Sequence, residues 1–160
     1  MEILEDLPDV DTIIGPFGGG GHLCGIASAV KHHKSDVKII ACEVETAAPL
    51  TESFKRGEAS TLSEHRTSFV DGMGGKSVFP DMWRLARNVI DDTVPLSVAE
   101  IANAVKTLVE RNRVVAEGAG AATVAAALTE HVSSGNIVCV VSGGNIDSAV
   151  LTKILQGQVP

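Results

Sequence analysis

The feature that most restricts the fold is a short apolar run, Thr12-Ile13-Ile14-Gly15, that passes through Pro16 and Phe17 into four consecutive glycines, Gly18 to Gly21. Leu23-Cys24-Gly25-Ile26-Ala27-Ser28-Ala29-Val30 follows, apolar and rich in small residues, and reads as a closely packed helix. A buried strand, a bend without Cβ atoms and a helix, in that order, open a strand–helix–strand crossover and therefore a parallel sheet. Four successive glycines are conformationally expensive to order, so a plain tight turn, the alternative reading, gives little reason for them. A bend of this kind lets backbone amides approach an anion, and the helix N-terminus behind it adds partial positive charge. The loop is therefore a candidate site for a phosphate or another anion.

The same alternation continues along the chain. Val37 to Cys42 reads as a second strand, Pro49 to Arg56 as a short helix, and residues 57–77 as a long functional loop holding Gly57, Gly72, Gly74 and Gly75. Met82 to Ile90 has helical periodicity, and Asp92-Thr93-Val94-Pro95-Leu96 reads as a short strand whose proline suits an edge or an end. Ser97 and Glu100 form a capping box at the start of a helix whose apolar residues are Ile101, Ala104, Val105, Leu108 and Val109. An alanine-rich helix is expected from about Gly120 to His131, then the strand Ile137 to Val141 and a last helix near Asp147 to Gln156. The order β-α-β-α-α-β-α-α-β-α predicts an α/β fold, an open and largely parallel twisted sheet with helices on both faces. Val141 also runs into a glycine-rich turn, Ser142-Gly143-Gly144. Ligands of such sheets lie outside the carboxyl ends of the strands, where both turns belong.

Composition narrows the partners. Thirteen basic against twenty acidic residues give a formal charge of −7, and aromatic residues are 3% of the chain, a balance that disfavours nucleic acid. No apolar run approaches the length of about 18 residues that a membrane helix needs. Met1 to Asp6 is acidic and unlike a signal peptide, and the three cysteines, Cys24, Cys42 and Cys139, are widely spaced in apolar runs. Reduced thiols in a cytoplasmic protein are expected.

Ordinary nucleotide signatures are absent. A G-x-G-x-x-G register would need glycine where Leu23 or Cys24 stands, and Gly75-Lys76-Ser77 would end a Walker loop only if Val70 were glycine. The stretch from Pro16 to Ala27 instead resembles the tetraglycine phosphate loop of the serine/threonine ammonia-lyase (threonine dehydratase) and serine racemase group. These are pyridoxal-phosphate enzymes of the tryptophan-synthase-β type, fold type II. The resemblance continues through Ala41 to Glu45, Val70-Asp71-Gly72, Val115 to Ala122 and Val141 to Asp147, five stations in the family's order.

The resemblance implies that Gly18, Gly19, Gly20 and Gly21 hold the phosphate of pyridoxal 5'-phosphate through their amides, and that Ser142 bonds the pyridine nitrogen. A neutral hydroxyl there leaves the pyridine unprotonated and weakens its electron sink, which suits loss of a β-hydroxyl from an amino-acid substrate. Gly143 and Gly144 would clear room beside the ring. Glu117 matches an acidic position near the cofactor, with Gly118 in place of the usual proline, and Asp71-Gly72 matches a loop on the substrate side. A divalent cation site would use Glu43, the carbonyl of Ala47 and an acid where Pro49 stands, and that proline puts the site in doubt. His22 stands where relatives carry an apolar residue and is either a solvated side chain or an anion contact.

The resemblance covers residues 1–160 as one partial domain, the second half of the cofactor-binding catalytic domain. In the family the Schiff-base lysine precedes the tetraglycine loop in a Ser-x-Lys-x-Arg setting, and none of Lys31, Lys34, Lys38, Lys55, Lys76, Lys106 and Lys153 has that setting. Ser133-Ser134-Gly135-Asn136 copies the letters of the family's carboxylate loop but falls in a turn before Ile137, at the other end of the sheet. The expectation is a chain that binds the cofactor weakly, is inactive alone, and pairs as a homo-oligomer or with a complementing N-terminal half. The alternative is a non-catalytic small-anion or nucleotide-binding module, with Glu43 or Glu45 as a ribose-binding acid, or an interaction protein from a truncated gene. His32-His33 reads as a solvated helix end, since neighbours on a helix diverge.

Overall fold

The computed structural model describes residues 1–129, 132 and 135–160. Four strands, β1 (Thr12–Pro16), β2 (Lys38–Val44), β3 (Asp92–Leu96) and β4 (Ile137–Cys139), form one parallel sheet in the order β3-β2-β1-β4. The helices are α1 (Glu2–Asp6), α2 (Gly21–His33), α3 (Pro49–Arg56), α4 (Pro80–Val89), α5 (Val98–Thr107), α6 (Gly118–Ala127) and α7 (Ser148–Leu155). Apart from α1, which no periodic signal announces, this is the order read from the sequence.

Side-chain alternation on β1 and β2 divides the core in two. Ile13, Ile39 and Ala41 face Leu23, Cys24 and Ala27 of α2 together with Trp83 and Ala86 of α4. Ile14, Ile40 and Cys42 face Ile101, Ala104 and Val105 of α5, Ala121 and Ala122 of α6, and Ile154 of α7. A strand covered on both faces must be apolar at consecutive positions, and every residue of β1 is buried. The Pro95 strand, β3, is an edge, as its proline requires. The other edge, β4, is half-buried throughout and two residues shorter than expected. Val140 still donates to the Ile14 carbonyl, but Val141 is exposed.

Local chemistry sets the helix starts. Ser97 Oγ accepts from the Glu100 amide at 3.2 Å and Glu100 Oε2 accepts from the Ser97 amide at 2.7 Å, the expected reciprocal cap of α5. Asp147 Oδ1 caps α7 through the Ala149 amide at 2.7 Å. Beyond Thr107, α5 widens into a π-helical turn, Leu108–Asn112, that stops at Arg113 with φ 60°. The expected end of the alanine-rich helix at His131, and the Ser133-Ser134 part of the turn before β4, lie outside the described residues.

The topology fixes where a ligand belongs. From β1 the chain crosses by α2 on one face to β2. From β3 it crosses by α5 and α6 on the other face to β4. Since β1 and β4 are neighbours, a crevice opens between them at the carboxyl end of the sheet, the switch point of an open α/β fold.

Candidate functional site

A cleft of about 340 Å³ lies at this switch point, lined by Pro16, the four glycines, His22, Gly72, Glu117, Ala119 and Ser142. The two glycine-rich turns, separated by some 120 positions in the chain, therefore face one cleft.

Two helices begin at its wall without a capping side chain. Gly20, in the left-handed region at φ 87°, is the N-cap of α2 and bonds nothing through a side chain. The first i→i−4 bond of α2 is Cys24 N to Gly20 O at 2.9 Å, which leaves the amides of Gly21, His22 and Leu23 before the hydrogen-bonded ladder. Glu117 is the N-cap of α6, likewise without a side-chain cap, and its amide donates to Gly143 O at 3.0 Å. The positive ends of α2 and α6 thus converge where an anion would lie.

The glycines have separate reasons. A Cβ on Gly18 would stand 2.6 Å from the Gly72 carbonyl oxygen, so this glycine lets the 3₁₀ turn Asp71–Met73 close against the loop. Gly20 is required by its φ. Gly19 and Gly21 have neither reason: φ is ordinary at both, and a Cβ at either would meet no other protein atom within 4 Å. Packing does not demand glycine there, whereas a ligand resting on the loop does. A phosphate against bare amides therefore fits the residues present, and the exposed Ser142 hydroxyl stands in the same cleft for a ring nitrogen.

Gly143 clears room for Glu117, a cleft-lining residue whose carboxylate a Cβ at this position would overlap. Gly144 does the same for the Val115 carbonyl, 2.6 Å from where its Cβ would be. Ala119 and Gly72 line the cleft although sequence reasoning gave Ala119 no role; its position inside the fourth station was the available signal. The loop carrying Gly72 is held by Leu62 N to Lys76 O, Val78 N to Ser60 O, and His65 Nε2 2.8 Å from Gly74 O.

The cation site is corrected by Glu43. Its side chain is fully buried, and both carboxylate oxygens are committed to α3: Oε1 accepts from the Leu50 amide at 2.8 Å, Oε2 from the Thr51 amide and hydroxyl at 2.7 Å each. Glu43 is thus turned to the start of α3 and not to a cation shared with the Ala47 carbonyl. Among the described residues no cluster of His, Cys, Asp and Glu could hold a metal ion. Burial pushes its carboxyl up to about 7, against the lowering effect of its three donors. The nucleotide reading loses Glu43 for the same reason, and Glu45 lines a different cleft, beside Thr46 and Lys55. Burial likewise raises all three thiols, Cys24 to about 11, so none is activated. Among the described residues no helix is long and apolar enough to cross a membrane.

Residues 1–143 match the family described as pyridoxal-phosphate dependent enzymes. The chain belongs to that family. It is 37% identical over 156 residues to the L-threonine ammonia-lyase of Thermotoga maritima, covering 97% of this chain and 39% of that protein. The processed threonine deaminase isoform 2 of Solanum lycopersicum superposes with a TM-score of 0.89 at 31% identity, over 97% of this chain and 46% of its own. Maize serine racemase gives 0.87 at 32% identity, over 98% and 51%. The α/β architecture is therefore that of fold-type II enzymes, and the chain spans less than half the length of the curated relatives it matches.

Proposed function

We propose that this chain is the cofactor-phosphate half of a pyridoxal-phosphate-dependent ammonia-lyase acting on threonine or serine, a partial domain that needs further polypeptide to turn over. The observation that carries the reading is the convergence of Gly18–Gly21 and Ser142 on one cleft, with two uncapped helix N-termini behind it.

In this reading the amides of the glycine loop hold the phosphate group and the Ser142 hydroxyl orients the pyridine ring by a hydrogen bond to its nitrogen. The Glu117 carboxylate, beside Gly72 and Gly143, lines the same cleft. Bound there, the cofactor would supply the electron sink for loss of a β-hydroxyl from a hydroxy amino acid. Among the described residues no lysine lines the cleft, and in this reading the covalent hold on the cofactor and the lysine base for the α-proton come from further polypeptide. Binding is then weak, and deamination by this chain alone is absent. Half-burial along β4 and the exposure of Val115 and Val141 favour a second chain, a copy of this one or a complementing N-terminal half, across that edge.

Titration with pyridoxal phosphate, followed by its near-ultraviolet and visible absorbance, tests the site. Saturable binding that Ser142→Ala weakens supports the reading; no binding at millimolar cofactor contradicts it.

A further inference from the structure

We propose that His22 is a direct ligand of the phosphate group in this cleft and selects phosphorylated over unphosphorylated ligands. The inference rests on the cofactor reading above and adds a side chain to a site otherwise made of backbone.

The charge balance of the cleft calls for such a group. A phosphate brings close to two negative charges at neutral pH. Among the described residues the cleft lining holds two ionisable side chains, the Glu117 carboxylate and His22, and the adjoining cleft that shares Gly18, Gly19 and Gly72 adds one acid and one base, Asp71 and Lys76, in a chain of net charge −7. The amides of α2 and α6 offer only partial charges. Among the described residues His22 is the one cleft-lining side chain with a nitrogen donor to offer an anion beside Glu117.

Its position suits that role. His22 is the second residue of α2 and lines the cleft together with the glycine loop, and Cα–Cβ bonds in a helix tilt toward the N-terminus, the end that carries the loop. Gly19 and Gly21, on either side of Gly20, have open space where side chains would be. The residue is exposed, and no hydrogen bond or ion pair ties its ring to another described residue, so no competing partner must be broken. An imidazole N–H donating to a phosphate oxygen is a charge-assisted hydrogen bond, and its loss weakens binding by about tenfold or more.

The test is calorimetric titration of the full chain with pyridoxamine 5'-phosphate and with pyridoxamine, whose amines form no Schiff base with exposed lysines. His22→Leu is expected to weaken the phosphorylated ligand about tenfold while leaving pyridoxamine unchanged, and His22→Gln, which keeps an N–H donor, to recover part of the loss. Unchanged affinity for pyridoxamine 5'-phosphate in His22→Leu, or an equal loss for both ligands, overturns the proposal. Ser142→Ala separates the two readings. If it weakens binding while His22→Leu does not, only the His22 role falls; if the parent chain binds neither ligand, the cofactor site falls with it.

Discussion

The helices α2 and α3 each begin just past the carboxyl end of a sheet strand, yet their N-termini are satisfied in opposite ways. Behind β2, the chain supplies its own acceptor: the buried Glu43 carboxyl accepts from the Leu50 and Thr51 amides, so the first donors of α3 are satisfied from within. Behind β1, four glycines and no capping side chain leave the start of α2 facing a cleft. The same physical feature, an array of helix amides carrying partial positive charge, is structural where a carboxylate is built in and becomes a binding site where none is. Both turns lie in stations that resemble the family, so the difference is one of occupancy by the protein itself.

Replacing Glu43 by Ala strips three donors of their acceptor inside the core. The loss of unfolding free energy should be roughly 3–5 kcal/mol by urea denaturation, with cofactor binding retained in whatever fraction stays folded. A loss under about 1 kcal/mol would break the contrast, since α3 would then be as independent of its anion as α2 is.

Titration of the same carboxyl gives the next effect. Because burial raises its folded pKa to about 7 from an ordinary 4.5, the folded state binds the extra proton between those values. Its contribution is full below about pH 4.5 and is lost as pH rises through about 7, an effect of about 3 kcal/mol at most. Denaturation midpoints of the parent chain should therefore fall across that window relative to those of Glu43→Gln, and parallel curves would contradict the buried carboxyl.

The glycine loop should respond in binding more than in stability. Gly20→Ala forces a Cβ into a left-handed backbone and against Met82, so a destabilisation of about 1–2 kcal/mol is expected from its melting curve. Gly19→Ala and Gly21→Ala should each change stability by less than about 1 kcal/mol, while cofactor affinity falls. Ser142→Ala, at an exposed residue, should leave stability within about 0.5 kcal/mol and weaken the cofactor. If Gly19→Ala and Gly21→Ala bind as well as the parent, the glycines serve the turn and not a ligand.

Where local pattern decides, the sequence was legible. Pro49–Arg56, Asp92–Leu96 and the Ser97–Glu100 box carry their signals in adjacent residues, and the structure has them at those residues. The strand leading to the second turn was read too long because five apolar residues predict a strand regardless of whether a neighbour exists to pair with Val141. Glu43 could not be read at all. Its partners are seven and eight positions ahead, at a distance set by how β2 turns into α3, and a carboxylate at a strand end looks the same in sequence whether it faces a cation, water or a helix. For the cleft, the glycines and Ser142 stood out as turns, whereas Ala119, inside an alanine-rich helix, had no signal but its place in the fourth station, and the packing of α6 on β1 is what brings it to the cleft.

The most direct measurement is an amide-resolved NMR titration of the 15N-labelled chain with pyridoxal phosphate. Resonances of Gly18 to His22 and of Ser142 should shift together along one saturable curve, while those of Leu50 and Thr51, already bonded to Glu43, stay in place. Shifts confined to residues outside the cleft, or equal shifts at both helix N-termini, would contradict the claim that the chain leaves the start of α2 open for a phosphate.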